Sequence, residues 1–328
     1  MWEAFTGSFG VRLEWCVMAA FAIDLALGDP RWLPHPVRLI GRASTLIEAV
    51  LARVLGRGYV AGVLFTLTIV AGVWAAAAGL VGLAAACDWR AGVAVQVLLL
   101  YTTFAARDLD VESRRVFRAL EAGDLPLARR DLSQIVGRET SRLDEPEVVR
   151  AAVETVAENT VDGIVAPLVF ALCGGAPAAL AYKAINTLDS MVGHFDQRYR
   201  TFGWASARLD DAANYLPARL ARVLFPLASW ICGLDAAGCW KIAWRDGHKS
   251  PSPNAGISEA AVAGALGVRL GGVNYYDGAA VSRPYLGDPL CALARRHIPA
   301  AIRLMYVVAF LTLALGTAIR ILLWHDWS

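Results

Sequence analysis

Between residues 153 and 163 the chain reads Val-Glu-Thr-Val-Ala-Glu-Asn-Thr-Val-Asp-Gly, so Glu154, Glu158 and Asp162 recur at i, i+4 and i+8. On a helix that spacing puts three carboxylates on one face. Like charges so arranged repel and weaken the helix, which calls for an offset, either a divalent cation or facing Arg and Lys side chains. Hard oxygen ligands of this kind suit Mg²⁺, which usually takes one or two carboxylates and completes its shell with water and substrate phosphates. Asn159 lies in the same turn and could orient a substrate oxygen. An ordinary solvated acidic face is the alternative reading.

Other segments carry similar chemistry. Lys183, Asn186 and Ser190 share a helical face within 182–194, followed closely by His194. The chain has 28 Arg but only three Lys, Lys183, Lys241 and Lys249. A retained Lys therefore marks a place for a compact ammonium whose pKa moves more readily than that of a guanidinium. Asp210, Asp211 and Asn214 fall within one turn, as a second metal patch or simply a helix start. The stretch 246–256 contains His248, Lys249, Ser250, Ser252 and Asn254 along with two prolines. It reads as a loop whose backbone N–H groups and ammonium could receive a phosphate, with an ordinary connection as the equal alternative. Segment 28–38 is too rich in Pro for regular structure and places Asp29, His35, Arg31 and Arg38 at an interface.

Several motifs are missing: GxxxxGK[ST], GxGxxG after a strand, HExxH and GxSxG. If a nucleotide is used, its phosphates are held by something other than a P-loop. The six cysteines form no CxxC pair and lie mostly in apolar runs, as packing residues. A net charge of +2 excludes nucleic acid as a partner on bulk basicity.

The elements that must position these residues are membrane elements. Apolar residues make up 57% of the 328, charged residues 18%, and the mean hydropathy is +0.46. Disorder is excluded by so much apolar surface. Gly58–Cys87 is 30 residues without a charge, against about 20 needed to cross a bilayer core. Ala91–Ala106 is a second run, joined to the first by a hairpin tip at Asp88-Trp89-Arg90. Leu304–Ile319 is a third, continuing past Arg320 to Trp324 if that side chain snorkels, and Val11–Leu27 a weaker fourth. No basic n-region or cleavage site precedes the first run, so a removable signal peptide is not expected.

Segment 28–57 holds five Arg and segment 107–162 nine, which puts both in the cytoplasm. Two apolar stretches are interrupted: 163–182 by Cys173-Gly174-Gly175-Ala176-Pro177, and 223–244 by Pro226 and Gly233–Gly238. Both read as re-entrant hairpins, because non-helical backbone at membrane depth is tolerated only where it packs in protein or lines a cavity; a single kinked span is the alternative for 163–182. A hairpin that returns to its own side would bring Glu158–Asp162 and Lys183–Asn186 to one mouth. The fold class is therefore all-α and polytopic, with about four full spans, two re-entrant hairpins and cytoplasmic helical loops. We read 1–328 as one membrane-integrated domain, with 107–162 as a helical excursion capping the cytoplasmic face.

The segments 28–41 (GDPRWLPHPVRLIG), 129–140 (RRDLSQIVGRET), 153–168 (VETVAENTVDGIVAPL), 182–194 (YKAINTLDSMVGH), 208–219 (RLDDAANYLPAR) and 246–256 (DGHKSPSPNAG) occur in one order. Over residues 20–290 the chain resembles the adenosylcobinamide-phosphate synthase family of cobalamin biosynthesis, integral membrane ligases of the late vitamin B12 pathway. The resemblance implies an ATP- and Mg²⁺-dependent carbon–nitrogen ligation. Adenosylcobyric acid, a corrinoid, would be joined to (R)-1-aminopropan-2-ol O-phosphate or a related aminoalcohol.

It also implies a bacterial inner-membrane location, an active site facing the cytoplasm, and association with other late-pathway enzymes or with a second copy of the chain. In that reading Glu154, Glu158, Asp162, Asp210 and Asp211 hold Mg²⁺, and Lys183 and Lys249 neutralise phosphate. Asn159, Asn186, Asn214, Ser250 and Asn254 orient substrate, and His248 or His194 takes the ammonium proton. Arg31, Arg38 and Arg42 meet anionic groups of the substrates. A non-catalytic scaffold or corrinoid carrier of the same pathway is the alternative. A transporter should show more spans and an internal repeat.

Overall fold

A computed structural model describes residues 11–30, 35–193, 199–276 and 278–325. The described chain is predominantly helical: α1 (Leu13–Leu27), α2 (Pro36–Leu55), α3 (Tyr59–Cys87), α4 (Trp89–Tyr101), α5 (Ala106–Glu121), α6 (Leu125–Leu132) and α7 (Glu145–Thr160). A π-helical turn at Val161–Val165 leads into α8 (Ala166–Val192), followed by α9 (Trp204–Ala213), α10 (Tyr215–Ile231), α11 (Ala236–Asp246) and α12 (Ala255–Leu266). Two strands, β1 (Leu270–Tyr276) and β2 (Ala279–Leu286), precede the last helix, α13 (His297–His325). Among the described residues, four stretches are long and apolar enough to cross a membrane: Tyr59–Cys87, Trp89–Glu121, Glu145–Val192 and His297–Leu323.

Three of these match the spans read from sequence. The fourth differs, because α1 has only 15 residues, fewer than a span needs, whereas the stretch through 163–182 qualifies. The uncharged run to Ala106 is not helical throughout. Its helix stops at Tyr101, where the Thr102 and Thr103 hydroxyls donate to the Leu99 and Leu100 carbonyls. Segment 28–38 is also more regular than its prolines suggest. Pro36 opens α2 at a position where its missing N–H costs nothing, and His35 Nδ1 accepts the Val37 N–H at 3.3 Å.

The chain forms two compact units, interleaved in sequence. The first contains residues up to Ala105, Ala166–Asn214 and the chain from Leu313; the second contains Ala106–Val165 and Tyr215–Thr312. In the first, α2, α3 and α8 enclose Ile40, Phe65, Ile69, Leu188 and Phe202. The backbone approaches so closely at Gly62 that a Cβ there would lie 2.0 Å from the Phe202 carbonyl oxygen. Thr66 and Ser206 share a buried hydrogen bond of 2.9 Å beside that contact.

α8 is broken at Gly174 and Gly175, the latter at φ +66°, where the sequence places the first interruption. Gly175 has a second reason to lack a side chain, since a Cβ would sit 2.3 Å from Gln96 Nε2. The break frees carbonyls, and Arg320 Nη1 donates to the Leu172 carbonyl at 2.9 Å. Arg320 also pairs with the buried Glu14 at 3.2 Å, so it does not snorkel but ties α1, α8 and α13 together.

In the second unit the interruption of 223–244 is shorter than the sequence suggests. Pro226 is inside α10 without ending it, and only Cys232–Asp235 is non-helical. The Asp235 side chain caps α11 by accepting the Gly238 N–H at 2.8 Å, so Gly238 belongs to the helix. Its role is close packing: a Cβ on Gly264 of α12 would meet the Gly238 carbonyl oxygen at 2.4 Å. The antiparallel pair β1–β2 is an element the sequence reading lacked, with a bulge at Leu270–Gly272. Gly271 in that bulge has φ +85°, and a Cβ there would lie 2.1 Å from the Pro284 carbonyl oxygen.

Candidate active site

α7 starts cleanly. Asp144 accepts the Glu147 N–H at 2.9 Å, and a proline occupies the first turn. From that start the helix projects Arg150, Glu154 and Glu158 along one face. Asp162, expected on the same face, falls instead in the wider π-helical turn and does not line the cavity formed by the others.

The repulsion between Glu154 and Glu158 is offset by arginines. Glu154 Oε1 accepts Arg150 Nη1 at 3.0 Å and the bulge N–H of Gly271 at 2.8 Å, while Oε2 accepts Arg138 Nη1 at 2.8 Å. Arg150 is buried and also reaches Glu147 at 2.5 Å, the Val273 carbonyl at 3.2 Å and Asn274 Oδ1 at 3.0 Å. Glu154 thus accepts from three donors, two on Oε1 and one on Oε2, and anchors the arginines. Three elements, α7, the segment after α6 and the β1 bulge, meet at this one carboxylate.

Beside it lies a cavity of about 110 Å³, lined among others by Arg138, Glu158, Asn159, Glu259, Tyr276 and Arg283. A water takes about 30 Å³ in the liquid, so this space suits a few waters or one phosphoryl or carboxylate group. Arg138 is 6% exposed, and its Nε and Nη2 have no hydrogen-bond partner among the described residues. Buried guanidinium donors left unmatched are costly, and an oxyanion in the cavity would satisfy them.

Glu259, from α12, is 7% exposed. Burial, then the charges of Glu158 and Glu154, raise its pKa well above the usual carboxylate range, while Arg283 and Arg138 act in the opposite direction. Asn159 uses its amide N–H on the Thr155 carbonyl at 3.0 Å, which leaves its oxygen for other contacts. Sequence reasoning missed Glu259, Arg138 and Arg283. The available signal for Glu259 was a single acid in an otherwise apolar helix, Ala-Gly-Ile-Ser-Glu-Ala-Ala-Val.

The 246–256 segment is a loop of turns that leads into α12. Its organising group is Asp246, fully buried, which accepts from Lys249 Nζ at 2.6 Å, from Arg245 at 2.8 and 2.7 Å and from the Gly287 N–H at 2.8 Å. Burial alone would raise this carboxyl, but those bonds more than offset it and hold Asp246 far below the ordinary range. Lys249 is 40% exposed, so one side of its ammonium stays open. Ser252 Oγ accepts the Asn254 and Ala255 N–H groups at 3.3 and 3.5 Å, and Asn254 Oδ1 accepts Arg219 Nη1 at 2.5 Å. His248 is exposed and Ser250 half-buried. Glu259 lies five residues beyond Asn254, about 7.5 Å along the same helix by the 1.5 Å rise per residue.

The first unit holds a separate polar cluster. The Tyr182 hydroxyl donates to Asn214 Oδ1 at 2.9 Å, and Asn214 Nδ2 donates to Asp210 at 3.0 Å. Asn186 Nδ2 approaches the other Asp210 oxygen at 3.5 Å. Burial, then the negative charge of Asp189, pushes Asp210 up to about 6. Asp211 pairs with Arg208 at 3.4 Å. Lys183 is half-buried on the same α8 face as Asn186. Arg38 and Arg42 are exposed on α2, whereas Arg31 and His194 lie outside the described residues. Among the described residues, no group of three or more His, Cys, Asp and Glu is close enough to hold a metal ion. A cation here would need substrate oxygens to complete its shell, as Mg²⁺ usually does.

Residues 17–305 match the family described as "CobD/Cbib protein". The chain is 53% identical to the cobalamin biosynthesis protein CobD of Geobacter metallireducens over 94% of its own length and 96% of the relative's. It is 47% identical to CobD of Klebsiella pneumoniae, covering 94% and 97% of the two chains. Identity to the cobalamin biosynthesis protein CbiB of Salmonella typhi is 45%, again over 94% and 97%. No solved structure matches. The chain belongs to the CobD/CbiB family.

Proposed function

We propose that this protein acts in cobalamin biosynthesis as an ATP-dependent ligase in the bacterial inner membrane. It would join adenosylcobyric acid to (R)-1-aminopropan-2-ol O-phosphate, or a related aminoalcohol, to give adenosylcobinamide phosphate. The observation that supports it most is the solvent-open cavity that Arg138 lines together with Glu158, Glu259 and Arg283. Such a cavity is made for an oxyanion accompanied by a cation.

Amide formation from a carboxylate needs an activated acyl group. Transfer of the ATP γ-phosphoryl to the propionate oxygen releases ADP and forms an acyl phosphate. The amine then attacks the carbonyl carbon, loses a proton and expels inorganic phosphate. In this scheme Arg138 and Arg283 receive the transferring phosphoryl oxygens, supplying charge that is positioned before the reaction. Glu158 and Glu259 would be the residues to hold Mg²⁺, and Glu154 keeps the arginines in place. The chemistry the cation would supply is neutralisation of the phosphate charge.

Lys249, fixed on one side by Asp246, offers its open side to phosphate at the start of α12, with Ser250 and Asn254 beside it. His248, exposed next to it, takes the ammonium proton. Asn159 orients a substrate oxygen. Asn186, Lys183 and Asn214, with Asp210 and Asp211, form a substrate-binding cluster, and Arg38 and Arg42 meet anionic groups of the corrinoid or aminoalcohol.

The experiment is turnover by detergent-purified protein with adenosylcobyric acid, Mg·ATP and either aminopropanol or its phosphate, following ADP and corrinoid mass. One ADP per amide formed supports the ligase. Tight corrinoid binding without turnover would replace it with a scaffold or carrier.

A further inference from the structure

α5 carries a second constellation, unconnected with the acidic cavity. Arg107, Val111, Arg114 and Arg118 recur at i, i+4, i+7 and i+11, one helical stripe, with Arg115 beside it. Together with Asp110 they line an open cavity of about 500 Å³. Asp110 is buried and organises the stripe. It accepts from Arg114 Nε, lies 3.6 Å from Arg107 Nη1, and accepts the Tyr306 hydroxyl at 3.0 Å. Arg115 is held by Glu112 at 2.7 and 2.8 Å, and Arg118 makes no ion pair among the described residues. Four guanidinium groups line the cavity with one carboxylate, Asp110, while Asp108, Glu112 and Glu121 of α5 lie outside its lining.

The level of this cavity follows from the chain. Arg107 is the first charge after the apolar run that ends at Ala106, and Tyr306 lies at the start of the apolar run that begins at Leu304. The Tyr306–Asp110 bond sets those two points side by side. The arginines therefore stand where apolar chain gives way to polar chain, the depth of lipid headgroups, on the side that the positive-inside rule makes cytoplasmic.

We propose that the cavity binds the phosphodiester of an anionic phospholipid. Guanidinium groups match phosphate oxygens in pairs, and Val111 offers an apolar contact for the glycerol end. A soluble phosphate would have the same charge chemistry, but it would gain nothing from the adjoining apolar runs that acyl chains can follow.

The test reconstitutes the full chain in phosphatidylcholine discs with or without phosphatidylglycerol, then counts retained lipid by native mass spectrometry. Arg115→Gln/Arg118→Gln is the variant, because it spares both arginines that Asp110 holds; an unchanged melting temperature confirms its fold. Wild type is expected to retain phosphatidylglycerol over phosphatidylcholine. The double variant should bind it about 30-fold more weakly, the equivalent of ~1 kcal/mol for each arginine near a charged bilayer. Equal retention of the two lipids, or equal retention by variant and wild type, overturns the proposal. So does displacement of the lipid by inorganic phosphate alone, which would identify a soluble phosphate site.

Discussion

Replacing Asp210 with Asn isolates the electrostatics of the Asp210–Asn214–Tyr182 chain, since an amide oxygen can still accept from Asn214 Nδ2. In the native fold Asp210 is raised from 3.8 to about 6, through burial first and the charge of Asp189 second. Between those two values the folded state holds more protons than the unfolded one. Stability therefore falls as pH rises from about 4 to about 6 and is flat above that. Two pKa units at 1.36 kcal/mol each set an upper bound of ~3 kcal/mol, reduced by whatever solvent reaches this partly buried group. Asp210→Asn should match wild type near pH 4 and exceed it by ~1–3 kcal/mol above pH 6. The assay is the thermal unfolding midpoint of detergent-purified protein, measured across that range for both proteins. A constant offset between the two at every pH, or a variant less stable at pH 7 than at pH 4 relative to wild type, would refute the reasoning. If Asp210 also takes part in Mg²⁺ binding, adding Mg²⁺ should flatten the wild-type slope, because a cation favours the ionised carboxylate.

Other outcomes follow from single contacts. Arg320→Met leaves Glu14, whose side chain is 4% exposed, with Arg12 at 3.4 Å, and frees the Leu172 carbonyl. It should cost less than the ~3–5 kcal/mol of a fully unpaired buried charge by thermal or denaturant unfolding, and Glu14→Gln in the same chain should recover part of that. Gly175→Ala meets both a positive φ and Gln96 Nε2 at 2.3 Å, so it should cost more than ~1 kcal/mol. Gln96→Ala should relieve the clash while leaving the backbone strain, which a melting series over the two single and the double variants would resolve. Glu154→Gln removes charge from a carboxylate shared by Arg138, Arg150 and Gly271 N–H, and should lower stability as well as activity. An unaltered melting temperature would contradict the anchoring role.

The membrane elements were legible because a run of 30 uncharged residues is longer than a bilayer crossing needs, and Gly174-Gly175 announces its own break. Helical spacing also put Glu154 and Glu158 on one face correctly. Spacing could not reveal that Glu154 would anchor arginines, since its partners Arg138 and Gly271 come from other elements and Gly271 lies 117 residues away. Asp162 stands in a π-helical turn, where the angular step differs from that of an α-helix, and residue type does not report that. Glu259 was readable in principle as a lone acid in an apolar helix, but its meaning depends on Glu158 and Arg283 packing around it. The β1–β2 hairpin had a recognisable Asp277-Gly278 turn signal, overshadowed by the stronger apolar pattern. Arg320 looked like a snorkelling residue because its partner, Glu14, is 306 residues distant.

The most direct test of the central claim is the ligation rate of Glu259→Gln in protein shown to be folded. Gln keeps the shape of the side chain, and because burial and the neighbouring carboxylates already disfavour a negative charge at Glu259, the fold should tolerate the change. If the cavity is where phosphoryl transfer occurs, ADP release and corrinoid product should fall together by about 10²–10³-fold while corrinoid binding persists. Turnover at the wild-type rate with one ADP per amide would keep the ligase and remove the reaction from this cavity.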